Sequence, residues 1–225
     1  MDYAAFLHAQ AEALVEQFFA AENIAWIAVP DMGWLARRQG MDGGQVTALP
    51  GFPATEGVIW RDTKDRAELW VMPEEKADEG TGLYARAWRV FVQTVAHTSP
   101  AAEVNGQKLA IDHLYPETAA ARLGFALVRV MAVDRRANSL LGATTERAAA
   151  GPKPGSVRPR FATTFTLAKV SGFPGSFARR HDAAVVAHGL LNHFRAQGYP
   201  VPAGALGALE ANLTASSLEW FRGTR

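Results

Sequence analysis

The sequence contains no cysteine among its 225 residues. This absence excludes disulfide bonds, zinc sites built on thiolates and a cysteine nucleophile. A metal site or a nucleophile in this chain must therefore use oxygen or nitrogen groups. A chain without cysteine can function in an oxidising or a reducing compartment, so the absence does not identify where the protein works.

The chain also has no excess of positive or of negative residues. The chain has 23 Lys and Arg residues against 22 Asp and Glu residues, for a formal net charge of +1. This balance excludes a polybasic protein that attracts nucleic acid over its whole surface. A basic surface that binds a polyanion would have to be local.

Long apolar runs are missing as well. No stretch reaches the roughly 18 to 20 apolar residues that cross a bilayer, and no basic segment followed by an apolar one opens the sequence. We therefore expect no membrane partner and a cytoplasmic protein.

The remaining patterns are those of a mixed α+β fold. Apolar spacing predicts helices over Asp2–Ala21, Leu83–Ala96, Ser176–Gln197 and Ala203–Phe221. β-branched and aromatic runs predict strands at Ile24–Val29, Gly57–Trp60, Ala67–Met72 and Phe161–Val170. The Gly- and Pro-rich stretch Asp31–Phe52 is interpreted as a loop, with a short helix near Trp34–Arg38 as an alternative.

Three segments follow from this order of elements. Residues 1–100 form an α+β scaffold segment, residues 101–155 a central hairpin unit, and residues 156–225 a C-terminal strand and helices packed on it. The alternative is one domain overall.

The central stretch, residues 108–150, carries the groups that point to chemistry. A short strand, Leu109–Ile111, runs into Asp112 and His113; a helical segment, Glu117–Leu123, leads to a second strand, Leu127–Val133; and a helix opens at Asn138. Neighbouring strand residues point to opposite faces, so the acid and the imidazole share a site only if the chain bends there. Pro116 is consistent with such a bend.

An acid, an imidazole and an amide are suited to phosphodiester hydrolysis. A neutral imidazole can accept the proton of an attacking water molecule near pH 7. Carboxylate and amide oxygens are suitable ligands for Mg²⁺ or Mn²⁺, which can neutralise charge at the phosphate. In this stretch His113 is the imidazole that can accept a proton, and Asp112 and Asn138 are the groups able to bind such an ion.

Two stretches, IDHLYP and VRVMAVDRRANSLLGATTE, resemble the HNH or His-Me finger nuclease superfamily, and are nearest to the phage junction-resolving endonucleases. The resemblance covers residues 108–150 only. It implies a ββα-metal hairpin inside the larger α+β fold and a metal-dependent endonuclease, with DNA preferred to RNA. His113 would be the general base, and Asp112 and Asn138 would hold one Mg²⁺ or Mn²⁺ ion.

Further residues are candidates around this centre. Glu146 lies near the position where many relatives have a helix histidine, and is predicted as a third or outer-sphere metal ligand. Arg129 is a candidate catalytic residue that contacts phosphate, because a guanidinium binds phosphate through two hydrogen bonds. The remaining basic candidates are predicted to bind nucleic acid: Arg135, Arg136, Lys153 and Arg158.

Alternatives remain open for each central residue. Asp112 could cap a turn, Asn138 could simply cap a helix, and His113 could be a strand-end histidine without a role. The paired cysteines and helix histidine of the family are absent from this chain. This motivates a second hypothesis, a non-catalytic nucleic-acid-binding or assembly protein that keeps the hairpin. A third hypothesis is a protein-binding module in which the pattern is chance. The sequence leaves the oligomeric state open.

Overall fold

The computed structural model describes residues 1–20, 24–73, 82–141, 158–175 and 183–222, with side chains up to residue 215. Within these residues the chain forms eight helices and eight strands. The helices are α1 (Tyr3–Phe19), α2 (Met32–Asp42), α3 (Leu83–Ala96), α4 (Glu117–Leu123), α5 (135–141), α6 (Thr164–Val170), α7 (Ala183–Ala196) and α8 (Ala205–Arg222). The strands are β1 (Trp26–Val29), β2 (Gln45–Ala48), β3 (Gly57–Arg61), β4 (Ala67–Val71), β5 (Glu103–Val104), β6 (Gln107–His113), β7 (Leu127–Asp134) and β8 (Arg160–Phe161).

Strand β7 is the centre of an antiparallel sheet. Strand β4 pairs with one edge of β7. On the other edge, β1 pairs with the beginning of β7 and β6 pairs with its second half, so β1 and β6 lie end to end. Strands β3 and β2 continue the sheet beyond β4, β8 pairs with β1, and β5 pairs with β6. The register places His113 opposite Val130 and Leu109 opposite Asp134.

Local signals explain where the helices begin and end. The Asp2 carboxylate accepts a hydrogen bond from the Ala5 amide at 2.8 Å, which caps α1 as predicted. Thr163 and Thr166 form a capping box that starts α6. Helix α4 ends at Gly124, whose φ of 79° lies in the left-handed region that glycine adopts without strain.

The helices cover the sheet with one large apolar core and a smaller one. The large core joins residues from Tyr3 in α1 to Leu213 in α8, so all three predicted segments contribute to it. The smaller cluster lies under α2, where Leu35 packs with Trp26, Trp60 and Trp70. The predicted segment boundaries remain a prediction.

A buried ionic network lies between the sheet, α1 and α2. The Glu68 carboxylate accepts two hydrogen bonds from Arg38, at 2.7 and 2.8 Å, and one from Gln17 at 2.7 Å. Arg129 lies 3.4 Å from the same carboxylate. Burial alone would raise the pKa of Glu68, but the charges of Arg129 and Arg38 and these hydrogen bonds lower it to about 2. The network therefore fixes Arg129 inside the protein.

The predicted α+β class is confirmed, and the bounds of α3 and α4 are those predicted. The predicted loop Asp31–Phe52 also contains β2, which the sequence did not indicate. The strand predicted at Phe161–Val170 is wrong, because most of it is helix α6. All seven residues of α6 are buried, so the segment shows no one-sided helical spacing and its apolar character was taken for a strand.

Helix α5 begins at residue 135 and not at Asn138. Asp134 takes the capping position, where its carboxylate accepts a hydrogen bond from the Ala137 amide at 2.7 Å.

Over the described ranges, no helix has both the length and the apolar character that a membrane crossing requires.

Candidate functional site

The last two residues of β6, Asp112 and His113, lie side by side at the end of the strand. After them the Leu114 amide still donates to the Arg129 carbonyl at 2.9 Å, and the chain then turns into α4. Asp112 and His113 keep 17% and 18% of their side-chain surfaces exposed. Both groups are therefore held by the fold and remain reachable from solvent.

The backbone orients the His113 ring. Its Nδ1 lies 3.2 Å from the carbonyl oxygen of Tyr115, and its Nε2 lies 3.2 Å from Oδ1 of Asp112. The Tyr84 ring stacks near it, with ring centres 5.8 Å apart. A neutral imidazole whose N–H is on Nδ1 donates to the Tyr115 carbonyl and keeps its lone pair on Nε2.

Lys169 of α6 completes the arrangement. Its Nζ lies 2.7 Å from Oδ2 of Asp112 and donates to the His113 carbonyl at 3.1 Å. The other carboxylate oxygen, Oδ1, accepts a hydrogen bond from the His113 amide at 2.7 Å. We call Asp112, His113 and Lys169 the strand-end cluster. In this cluster the Asp112 carboxylate is neutralised by a nearly buried lysine.

The cluster keeps His113 uncharged. Burial lowers the pKa of His113, the charge of Asp112 opposes this shift and the charge of Lys169 adds to it, and the resulting pKa is about 4. The imidazole is therefore neutral near pH 7.

Sequence reasoning did not find Lys169. Its segment was predicted as a strand, so the residue was not placed on a helix beside β6. A signal was present: Lys169 is the only charged residue in the apolar run TFTLAKV, and a charge in such a run is buried only with a partner.

The structure does not join Asn138 to the strand-end cluster. Asn138 is half-buried on α5, and α5 follows Asp134, which pairs with Leu109 near the opposite end of β6 from His113. No hydrogen bond or ion pair among the described side chains links Asn138 with Asp112 or His113.

The metal ligand set implied by the resemblance is not assembled by the described residues. Both oxygens of Asp112 already have donors, and the positive Lys169 lies at hydrogen-bond distance from one of them. In the described parts of the chain, no three His, Asp or Glu side chains form a group able to hold a metal ion. Glu146 lies outside the described residues. Mg²⁺ or Mn²⁺ as a cofactor therefore remains a prediction.

The Arg129 side chain lies inside the protein, where it cannot contact a phosphate of a substrate at the surface. Its side chain is fully buried, and its Nη1 donates to Gln17 at 2.8 Å. Burial lowers the pKa of Arg129 to about 10, although the charge of Glu68 opposes the shift. The guanidinium faces the internal network, while only the Arg129 carbonyl lies next to the strand-end cluster.

Arg135 and Arg136 are exposed at the start of α5, and with Lys108 they line a cleft of about 570 Å³ near the other end of β6. We call this the basic cleft. Arg158 is exposed, and Lys153 lies outside the described residues. The candidates thus fall into two groups, one at each end of β6.

Comparisons of the chain with family models, with curated proteins and with solved structures found no match. The resemblance to His-Me finger nucleases therefore depends on residues 108–150 and remains a prediction.

Proposed function

We propose that the chain is a nuclease that hydrolyses phosphodiester bonds in nucleic acid at the strand-end cluster, with DNA the substrate that the resemblance favours. The observation that carries the proposal is the orientation of His113. Nδ1 lies 3.2 Å from the Tyr115 carbonyl oxygen, so in the tautomer with its N–H on Nδ1 the ring has an unprotonated Nε2 beside Asp112.

This geometry suits general base catalysis. A water molecule at Nε2 gives a proton to the ring, its oxygen attacks phosphorus, and the ester oxygen on the opposite side leaves with the bonding electron pair and takes a proton from solvent. Before the transfer, the lone pairs of Nε2 and Asp112 Oδ1 face each other at 3.2 Å. After the transfer, the new N–H can donate to Asp112, so the carboxylate stabilises the imidazolium as it forms.

Lys169 acts on this step through Asp112. It is nearly buried and binds both Oδ2 and the His113 carbonyl, so it is a positioning residue that does not touch the substrate. A divalent ion, if one binds, would supply charge neutralisation at the phosphate.

The second candidate is a nucleic-acid-binding protein without turnover. It is favoured by the ion pair between Asp112 and Lys169, which occupies the carboxylate that a metal would need. In that case the basic cleft would bind nucleic acid and the strand-end cluster would only stabilise the fold.

Cleavage of a supercoiled plasmid separates the two candidates. Wild type, His113→Ala and His188→Ala are compared in Mg²⁺, in Mn²⁺ and with a chelator; His188 is an exposed histidine on α7 and serves as the matched control. The nuclease proposal expects cleavage by wild type and His188→Ala and its loss in His113→Ala. Absence of cleavage by wild type under every condition would support the binding protein.

A further inference from the structure

The basic cleft lies between the turn before β6, the start of α5 and the loop after α6. Its lining includes Lys108, Arg135, Arg136, Ser139, Asp134 and Gly172. Lys108, Arg135 and Arg136 are exposed, and no described acidic side chain forms an ion pair with any of them. Three basic residues therefore line one concave surface of a chain whose net charge is only +1.

The acidic residue in the cleft does not cancel this charge. The Asp134 carboxylate caps α5 through the Ala137 amide, so one of its oxygens is already engaged. Three cations against one anion leave the lining with a charge of about +2, which favours a phosphate-bearing ligand.

The cleft and the strand-end cluster are connected along β6. Lys108 and Asp112 are four residues apart, so their side chains leave the same face of the strand. Ala110, which has only a methyl side chain, is the residue between them on that face of the strand. At about 3.3 Å per residue, the two positions are about 13 Å apart.

Helix α6 and the turn after it run between the same two positions. Lys169 binds Asp112 at one end. Gly172, three residues later, lies beside Asp134 at the other, where an added Cβ would be 3.6 Å from the Asp134 Cβ. With a φ of 68°, Gly172 provides the left-handed turn at this point.

We infer that the basic cleft binds backbone phosphates of the nucleic-acid strand whose scissile bond lies at His113. The cleft would therefore contact phosphates within a few nucleotides of the scissile phosphate. The inference takes the identity of the polyanion from the proposed function, but it concerns binding and not cleavage.

The test measures DNA binding by a protein that lacks His113, so the result does not depend on cleavage. The cleft variant has Lys108, Arg135 and Arg136 changed together to Gln in the His113→Ala protein. The control variant has Arg86, Arg89 and Arg195 changed to Gln in the same protein. These three arginines are exposed outside the cleft, so the control loses the same number of positive charges. Fluorescence anisotropy of a labelled DNA oligonucleotide gives the affinity over a range of salt concentrations.

We expect the cleft variant to bind at least about tenfold more weakly than the control and to lose about two to three units of slope in log affinity against log salt. Equal binding by the cleft and control variants would overturn the inference, as would no binding by the parent protein. Tighter binding to phosphatidylserine vesicles than to DNA, lost in the cleft variant, would assign the cleft to a lipid headgroup instead. Because His113 is absent throughout, a failure of cleavage does not affect the result.

Discussion

At the scale of single residues, both ring nitrogens of His113 lie 3.2 Å from oxygen atoms, of Tyr115 and of Asp112. A neutral ring has one N–H and can satisfy only one of them. Since burial keeps the pKa of His113 low, at about 4, one of these two contacts has no proton near pH 7. Lys169 offsets the negative charge of the Asp112 carboxylate, because its ammonium group lies against the other carboxylate oxygen.

The first prediction concerns Lys169. Lys169→Met leaves a mostly buried carboxylate without its cation, and we expect a loss of about 2 kcal/mol in the free energy of unfolding, measured with urea. The pKa of His113 should rise from about 4, as observed by NMR titration, because the charge of Lys169 contributes to its lowering.

The matched control is Lys64→Met. Lys64 pairs with Glu16, but its side chain is 63% exposed, so its removal should change the free energy of unfolding by less than about 1 kcal/mol. Equal effects of the two substitutions, or an unchanged pKa of His113 in Lys169→Met, would contradict the role given to Lys169.

The second prediction concerns how Glu68 makes the stability of the fold depend on pH. The folded pKa of about 2 lies below the ordinary value of 4.5, so the unfolded state binds a proton first as the pH falls. The stability that Glu68 provides is therefore complete above about pH 5 and is lost as the pH decreases from 4.5 toward 2. The shift corresponds to about 3 kcal/mol.

Urea unfolding of wild type and Glu68→Gln at several pH values measures this effect. Glu68→Gln should be less stable near pH 7, because Arg38 and Arg129 lose their buried counter-charge, and the difference should shrink in acid. A difference that stays constant down to about pH 3 would show that Glu68 does not titrate as described.

At the scale of elements, the sequence predicts helices and strands best where only one face of the element is buried. Helix α3 was predicted with its observed bounds because its apolar residues, such as Trp88 and Phe91, recur on one face. The fully buried α6 has no polar face, so its sequence did not distinguish helix from strand. Lys169 was missed for the same reason, and with it the ion pair that engages Asp112.

Distances between elements are also beyond the sequence. Asp112 and His113 are adjacent in the chain, so their proximity could be predicted with a bend at the strand end. The position of Asn138 depends on the register of β6 and β7, which tertiary packing sets. The burial of Arg129 depends on Gln17 and Glu68, which are distant in sequence.

The third prediction concerns the start of α6. Thr163→Ala removes the side chain that accepts a hydrogen bond from the Thr166 amide, and we expect a loss of about 1 kcal/mol in the free energy of unfolding. Thr163→Ser keeps the hydroxyl and should remain close to wild type. Equal loss in both variants would show that the threonine methyl group, and not the cap, provides the stability.

At the scale of the whole molecule, β7 connects the two groups of candidate residues. Its pairing with β6 places the strand-end cluster beside Val130 and the start of α5 beside Leu109. His113 and the basic cleft are thus separate along one strand, so the proposed chemistry and the proposed binding are expected to respond to different substitutions. The chain's small net charge is consistent with binding through a local surface.

The most direct measurement of this account is the single-turnover rate of oligonucleotide cleavage by His113→Ala, with affinity measured on the same substrate. The account predicts a rate at least about 100-fold below that of wild type, an unchanged affinity, and full activity in His188→Ala. Cleavage by His113→Ala at the wild-type rate would contradict the assignment of His113 as the base.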